Sequence, residues 1–275
     1  MANSFTFNSV DYSTYGLLVT NVERWGFAPV RLDAQQRGGG TGASVGDAVY
    51  YGAGVIRLRC MVRATTIAAR QGYLDSIRAG LAPTLGQKLL LLDDETGQSA
   101  AVNRGYLVLL QSMSELALRP GAYVVEFDLE FLVPRGCAVA AVEVDRTVTL
   151  TGSPQTVYEP NDVAAVVYGT RRARPVWEFT NSSATPVSSV TLANVTAGTT
   201  MTWTGTLAQG DKLRLYAFER HAEKYRAAQA DWMNAMYGFG SAQGFVELLP
   251  TVRNQLTVTG IASGSVRLIY RGEFL

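Results

Sequence analysis

The sequence predicts a mainly β protein of two domains. Segments of strand length recur along the 275 residues, and the clearest, at residues 123–133, alternates apolar and acidic side chains. Gly, Pro, Ser and Asp separate these segments at short intervals, which is typical of β-sandwiches and barrels. Helical spacing with a capping threonine stands out at residues 65–79. A chain of this length has room for two ordinary domains, predicted here as 1–150 and 151–275.

The first domain opens on two short strands. Residues 5–10 and 16–22 have the composition of strands, and the polar residues between them form a turn. The glycine-rich stretch 37–46 is followed neither by Gly-Lys-Ser/Thr nor by a helix. It therefore predicts a loop or strand connection rather than a phosphate-binding site.

Two strands carry charges of a single sign on one face. Residues 55–63 hold what we call the arginine stripe: Arg57, Arg59 and Arg63. Residues 123–133 hold the acidic stripe: Glu126, Asp128 and Glu130. Each stripe predicts either a solvated face, a contact with a neighbouring subunit or the lining of a channel. An acidic stripe that meets the arginine stripe of the next copy would suit a repeated head-to-tail contact.

One helix is predicted between these strands. Thr65 or Thr66 can cap a helix that runs to about Ala79 and stops at Gly80. Its apolar stripe is expected to pack on a sheet and consists of Ile67, Leu74, Ile77 and Leu81. The acidic residues that follow, within 93–97, lack the spacing of a calcium loop, so they predict a hairpin turn.

The second domain is expected to begin after turn residues near 150. Short strands separated by Gly, Pro and Ser then predict a β-sandwich. Residues 218–236 differ, because apolar and aromatic side chains recur there at helical spacing. From pattern alone they predict an inserted helix, which could carry a partner contact. The face of this helix would consist of Phe218, His221, Tyr225, Ala228, Trp232 and Met236.

Composition and motifs give no positive reason to propose an enzyme. The net charge is +1, with 13 Lys and Arg against 14 Asp and Glu before residue 151 and 11 against 9 after it. Neither half has the excess of one sign that nucleic-acid or membrane-surface binding requires. His221, the sole histidine, lacks a nucleophile elbow and is interpreted as a core or capping residue. Cys60 lies in an apolar strand pattern and predicts a buried side chain, and neither cysteine has metal-site spacing.

No catalytic, cofactor or metal site is therefore expected. The N-terminus lacks the basic and apolar regions of a signal peptide, and no apolar run is long enough for a membrane helix.

Two parts of the chain resemble the distal tail proteins (Dit) of long-tailed, siphovirus-type bacteriophages. The first is the opening, S-F-T-F-N-S-V-D-Y-S-T-Y-G-L-L-V at residues 4–19. The second is residues 168–275, where P-x-W-E-F, L-x-x-G-D-x-L-x-L, N-x-L-x-V and S-V-R-L-I-Y-R follow one another in order. The order and spacing of these motifs carry the resemblance.

The resemblance implies a structural protein of the virion tail tip. It implies a tail-tube-like β-sandwich or barrel with one packed helix, which forms a hexameric ring, and a peripheral galectin-like β-sandwich. The ring would join the tail tube to the hub or fibre proteins of the baseplate, and DNA would pass through it at ejection. It would assemble in the host cytoplasm, without a membrane or cofactor. At residues 218–236 the resemblance implies two strands instead of a helix, so that segment stays open.

Two other functions remain open from the sequence. A tail-tube (major tail) protein would share the first fold and carry the second domain as a decoration. A carbohydrate-binding β-sandwich for host attachment would use exposed aromatic side chains such as Trp177, Trp203 or Trp232 as anchors. Tryptophans at strand spacing more often belong to the core.

Overall fold

The chain folds into two compact units. The computed structural model describes residues 4–24, 30–31, 34–36, 43–45, 50–51, 53–82, 87–92, 103–114, 117–118, 123–239 and 244–274. The division between the units falls between Ala141 and Val142. It lies ahead of the predicted boundary at residue 150, because the strand Val144–Leu150 pairs with a strand near the C-terminus of the chain.

The first unit is built on one antiparallel sheet. Its strands run in the order β2-β1-β9-β10-β12-β8-β3, with β11 beside β12 and β13 beside β10, while β4 pairs with β7 and β5 with β6. The strands are β1 Phe5–Phe7, β2 Val10–Asp11, β3 Leu17–Arg24, β4 Val30–Arg31, β5 Ala34–Gln36, β6 Ala43–Val45, β7 Tyr50–Tyr51, β8 Gly54–Arg63, β9 Lys88–Leu92, β10 Arg104–Met113, β11 Ala117–Leu118, β12 Val124–Val133 and β13 Ala138–Ala140. The strand β6 lies in the predicted glycine-rich loop, of which the other residues fall outside the described part of the chain.

The predicted helix, α1, spans Ile67–Leu81 and contributes to the core of this unit. Thr66 is its N-cap, and the hydroxyl Oγ1 accepts a hydrogen bond from the Ala69 amide at 3.0 Å. Leu74, Ile77 and Leu81 are buried as predicted, but Ile67 is exposed because it begins the first turn.

The predicted stop at Gly80 is wrong by one residue, since the helix continues through Leu81. Gly80 serves packing instead. A Cβ atom there would lie 2.4 Å from the hydroxyl of the buried Tyr12.

The second unit is a β-sandwich, as predicted. One sheet has the order β14-β23-β16-β19-β20-β21 and the other β15-β22-β17-β18. The strands are β14 Val144–Leu150, β15 Gln155–Glu159, β16 Val176–Asn181, β17 Val187–Asn194, β18 Thr199–Leu207, β19 Lys212–Tyr216, β20 His221–Arg226, β21 Asp231–Asn234, β22 Asn254–Thr259, β23 Gly264–Tyr270 and β24 Glu273–Phe274. Trp177, Phe179 and Trp203 are buried in its core.

The segment 218–236 forms the hairpin β20–β21, so the two strands that the resemblance implies are confirmed and the helix predicted from the pattern is wrong. Arg220 and Ala230 adopt positive φ angles of 52° and 54° in the turns before each strand. Arg226 and Asp231 face each other across the hairpin and form an ion pair through two hydrogen bonds. Two short strands and their turns place aromatic residues every three or four positions in this segment, which imitates the spacing of a helix. The pairing of these strands with their neighbours in the sheet determines the structure instead.

Candidate functional site

The arginine stripe and the acidic stripe lie on the same face of the same sheet. Strands β8 and β12 are antiparallel neighbours, and their register places Arg57 opposite Glu130 and Arg59 opposite Asp128. The nitrogen Nε of Arg57 donates to Oε2 of Glu130 at 2.7 Å, and Nε of Arg59 donates to Oδ1 of Asp128 at 3.2 Å. The sequence did not predict this pairing within the chain.

The charged ladder extends onto a third strand. In the register of β3 and β8, Glu23 lies opposite Arg57. The pKa of Arg57 is raised, chiefly by its hydrogen bond to Glu130 and also by the charge of Glu23. We use the name charged ladder for this set: Glu23, Arg57, Arg59, Asp128 and Glu130. Opposite charges alternate across the ladder, which stabilises the pairing of the strands. The ladder therefore produces no strong electrostatic potential of either sign.

The two remaining predicted residues lie further along the same strands. Arg63 is opposite Val124 and Glu126 is opposite Met61, and both charged side chains are exposed. Among the residues that the structure describes, Arg63 has no ion-pair partner. A role for either stripe in a subunit interface or channel therefore stays a prediction, and a contact between copies would compete with the two ion pairs inside the chain.

A tightly packed core supports the ladder from below. The side chains of Leu58, Cys60, Phe127 and Leu129 alternate with the charged residues along β8 and β12 and are buried. Burial, with a smaller contribution from Asp128, raises the pKa of the Cys60 thiol to about 12. The predicted buried cysteine is thus confirmed, and the charged face rests on a rigid sheet rather than on loops.

The structure shows where the residues considered for catalysis or metal binding lie. His221 is not a core residue, since it lies half-exposed on β20 with Nε2 at 3.4 Å from Oε1 of Glu223. No three His, Cys, Asp or Glu side chains are grouped to hold a metal ion within the described residues.

The predicted hairpin turn at 93–97 lies outside the described residues. No helix in the described ranges is long and apolar enough to cross a membrane.

Of the three tryptophans considered as anchors, two belong to the core. Trp177 and Trp203 are 1% and 0% exposed, and their indole nitrogens donate to the carbonyl oxygens of Val246 and Ala235. Trp232 is 39% exposed on β21. Sequence reasoning missed the polar residues that surround it on β19 and β20. The alternation of polar or aromatic residues with Leu213 and Leu215 along β19 was the available signal.

Solved phage structures share this fold over the whole chain. The structure of the SPP1 Dit protein, described as a paradigm of the hub adsorption apparatus in phages that infect Gram-positive bacteria, matches with a TM-score of 0.60. The match covers 99% of both chains at 12% identity. This chain has the fold of a Dit protein.

Two further structures agree with that assignment of the fold. A chain of the phage p2 baseplate in its activated conformation with calcium matches with a TM-score of 0.52 and 7% identity over 100% of both chains. The strontium form of that baseplate matches with the same score and identity over 99% of both chains. No protein-family model and no curated protein matches the sequence. The Dit fold is therefore established through structure alone.

Proposed function

We propose that this chain is a structural, non-enzymatic protein of a phage tail tip. The observation that carries the proposal is the match of the complete chain, through both units, to a Dit protein and to a baseplate chain. A chance similarity of one common sandwich domain would not extend over 99% of both chains. The order of the sequence motifs in both units supports the same function independently.

In this proposal the first unit forms a ring, hexameric as the resemblance implies. The ring joins the tail tube to the hub or fibre proteins and surrounds the channel through which DNA leaves the virion. The near-zero net charge of the chain suits such a role, because the passage of DNA requires weak rather than tight contact with the phosphate backbone. The protein would assemble in the host cytoplasm and remain at the tail tip.

The contact between copies is proposed to involve the two stripes and the edge strand β3. An edge strand presents unpaired backbone groups to a neighbour, and β3 is the last of the described strands in the sheet, beside β8. The row Glu130–Arg57–Glu23 runs to that edge, so a neighbouring copy would meet it there. Arg63 and Glu126 would face the same neighbour or the channel.

A charge exchange can test this contact. The single variant Asp128→Arg removes one ion pair of the ladder and reverses the charge that a neighbour meets. A second single variant, Arg59→Asp, reverses the other charge of that pair. In a mixture of the two variants every copy still lacks its internal ion pair, but alternating neighbours present opposite charges to each other. Each variant alone and the mixture would be followed by native mass spectrometry and negative-stain electron microscopy.

The expected result is loss of rings in each variant alone, with the fold retained by circular dichroism, and recovery of rings in the mixture. Loss of rings in the mixture as well would show that these charges serve only their own chain. Rings in each variant alone would overturn the proposed contact and leave the channel as the position of the stripes. Long tubes formed by the native protein would instead favour a tail-tube protein.

A further inference from the structure

One face of the larger sheet in the second unit is turned away from the sandwich core and carries aromatic and polar side chains. The register of β19, β20 and β21 places them in adjacent rows, because directly opposed residues project to the same side. We call this set the outer face: Arg214, Tyr216, Glu223, Tyr225, Trp232 and Asn234. Alternate residues on these strands, such as Leu213, Leu215 and Ala222, are buried in the core.

The side chain of Trp232 extends across the outer face towards Arg214. The guanidinium carbon of Arg214 is 4.2 Å from the centroid of the Trp232 ring, although the two residues belong to strands separated by β20. The indole must therefore extend over the neighbouring strand, where the Tyr225 ring lies 5.3 Å away. The cation lies over one face of the indole, and Trp232 is still 39% exposed. The exposed part of the ring offers an aromatic platform to a ligand.

A chain of hydrogen bonds holds this platform in place. Glu178, which is buried, accepts hydrogen bonds from Nε of Arg214 at 2.9 Å and from its Nη2. Nη1 of Arg214 faces the Tyr216 hydroxyl at 3.4 Å, and that hydroxyl donates to Oε2 of Glu223 at 3.0 Å. Because the cation beneath the indole is fixed by a buried carboxylate, little ordering remains to be done when a ligand stacks on the ring.

Hydrogen-bonding groups border the platform. Asn234 lies two residues from Trp232 on β21 and directly opposite Glu223 on β20. The Asn234 oxygen Oδ1 accepts from the Met236 amide at 2.8 Å, so its NH₂ group supplies donors, while the Glu223 carboxylate supplies acceptors. Both side chains reach solvent. The donor and the acceptor thus lie one cross-strand spacing apart, two positions along their strands from the pair Trp232 and Tyr225.

We propose that the outer face binds a pyranose unit of a glycan. A pyranose has an apolar face of C–H groups, which would stack on Trp232, and a rim of hydroxyls that both donate and accept hydrogen bonds. Asn234 and Glu223 would hold adjacent hydroxyls, and Glu178 and Arg214 act as positioning residues. This binding site goes beyond the proposed tail-tip function and does not depend on ring formation.

The chemistry of the face disfavours other classes of partner. Arg214 and Lys212 share the carboxylate of Glu178, and Glu223 adds a second negative charge, so the surface lacks the excess of positive charge that attracts phosphates. A stable protein interface needs a larger apolar area than one exposed indole provides. A sugar ring matches the size and polarity of this surface.

The test uses the full chain and a panel of soluble oligosaccharides built from galactose, glucose, N-acetylglucosamine and rhamnose. Binding would be followed by intrinsic tryptophan fluorescence and isothermal titration calorimetry. At least one sugar should bind with a saturable signal, and Trp232→Ala should weaken that binding by about tenfold or more. The matched control is Tyr237→Ala, which removes an aromatic side chain that is 65% exposed but lies outside the outer face.

A second variant, Glu223→Gln, keeps the platform and removes the charged acceptor. It should weaken binding of the same sugar while circular dichroism and thermal unfolding remain close to those of the native protein. Absence of a saturable response to every sugar in the panel would overturn the proposal. Equal losses in Trp232→Ala and Tyr237→Ala would overturn it as well, since the effect would then not depend on the platform.

Discussion

Glu178 carries a buried carboxylate, and removal of its charge should clearly destabilise the second unit. Its side chain is 6% exposed, whereas those of its partners Arg214 and Lys212 are 30% and 38% exposed. Arg214 donates two hydrogen bonds to Oε2, and the Lys212 ammonium lies 3.3 Å from Oε1. The two cations thus depend on one carboxylate that water hardly reaches.

The variant Glu178→Gln preserves the shape of the side chain and removes its charge. Hydrogen bonds to a charged group contribute about 1.5–3 kcal/mol, and loss of one buried partner leaves the others poorly compensated. Arg214 and Lys212 are partly solvated, which limits the penalty. We therefore expect a loss of about 2 kcal/mol in the free energy of unfolding, equivalent to a fall of roughly 6–10 °C in melting temperature for a unit of this size.

Urea unfolding followed by tryptophan fluorescence would measure this loss, because three of the four tryptophans, Trp177, Trp203 and Trp232, lie in the second unit. The matched control is Glu219→Gln, which removes the charge of an exposed glutamate on the same unit and should change stability little. A value for Glu178→Gln within about 0.5 kcal/mol of the native protein would refute the reasoning, since that is the range of ordinary surface substitutions.

The pH dependence of unfolding provides a second test of the same network. Burial alone would raise the pKa of the Glu178 carboxyl, but the hydrogen bonds and charge of Arg214, with Lys212, outweigh burial and lower it below 4.5. A lowered pKa in the folded state means that the ionised carboxylate stabilises the fold above pH 4.5. That contribution is lost as the pH falls through the lower, folded pKa, so the native protein should lose more stability on acidification than Glu178→Gln.

Two further predictions concern backbone and thiol chemistry. Gly260→Ala should destabilise the second unit by about 2 kcal/mol or more, because φ is +102° and a Cβ atom would lie 2.0 Å from the Ser189 oxygen. Gly198→Ala, at a positive φ with open space around it, should cost only about 1 kcal/mol in the same denaturation assay, and equal losses would contradict the steric argument. In a Cys137→Ser variant, the Cys60 thiol should react with Ellman's reagent near neutral pH only after unfolding. Rapid reaction of Cys60 in the native state would contradict its burial.

Local signals in the sequence were sufficient for the helix and for most strands of both units. Thr66 and the spacing of Leu74 and Ile77 predicted α1 because capping and helical periodicity depend only on neighbours in the chain. The alternation along β8 and β12 predicted strands for the same reason. These features needed no knowledge of the tertiary structure.

Features that depend on distant parts of the chain were not predictable in this way. Periodicity alone gave a helix at 218–236, while the structure gives a hairpin because β20 adds to the edge of β19. The arginine and acidic stripes were both recognised, but which strands are neighbours is a property of the topology. Their ion pairs join residues more than 60 positions apart, as Arg59 and Asp128 show. The outer face was missed since it forms only when three strands are paired.

The proposal that this chain forms the ring of a phage tail tip rests most on its state of assembly. Native mass measurement combined with electron microscopy of the purified full-length protein tests it most directly. We expect discrete rings with six-fold symmetry and an open centre. Long tubes would contradict it in favour of a tail-tube protein, and a monomer at every concentration measured would contradict ring formation by this chain.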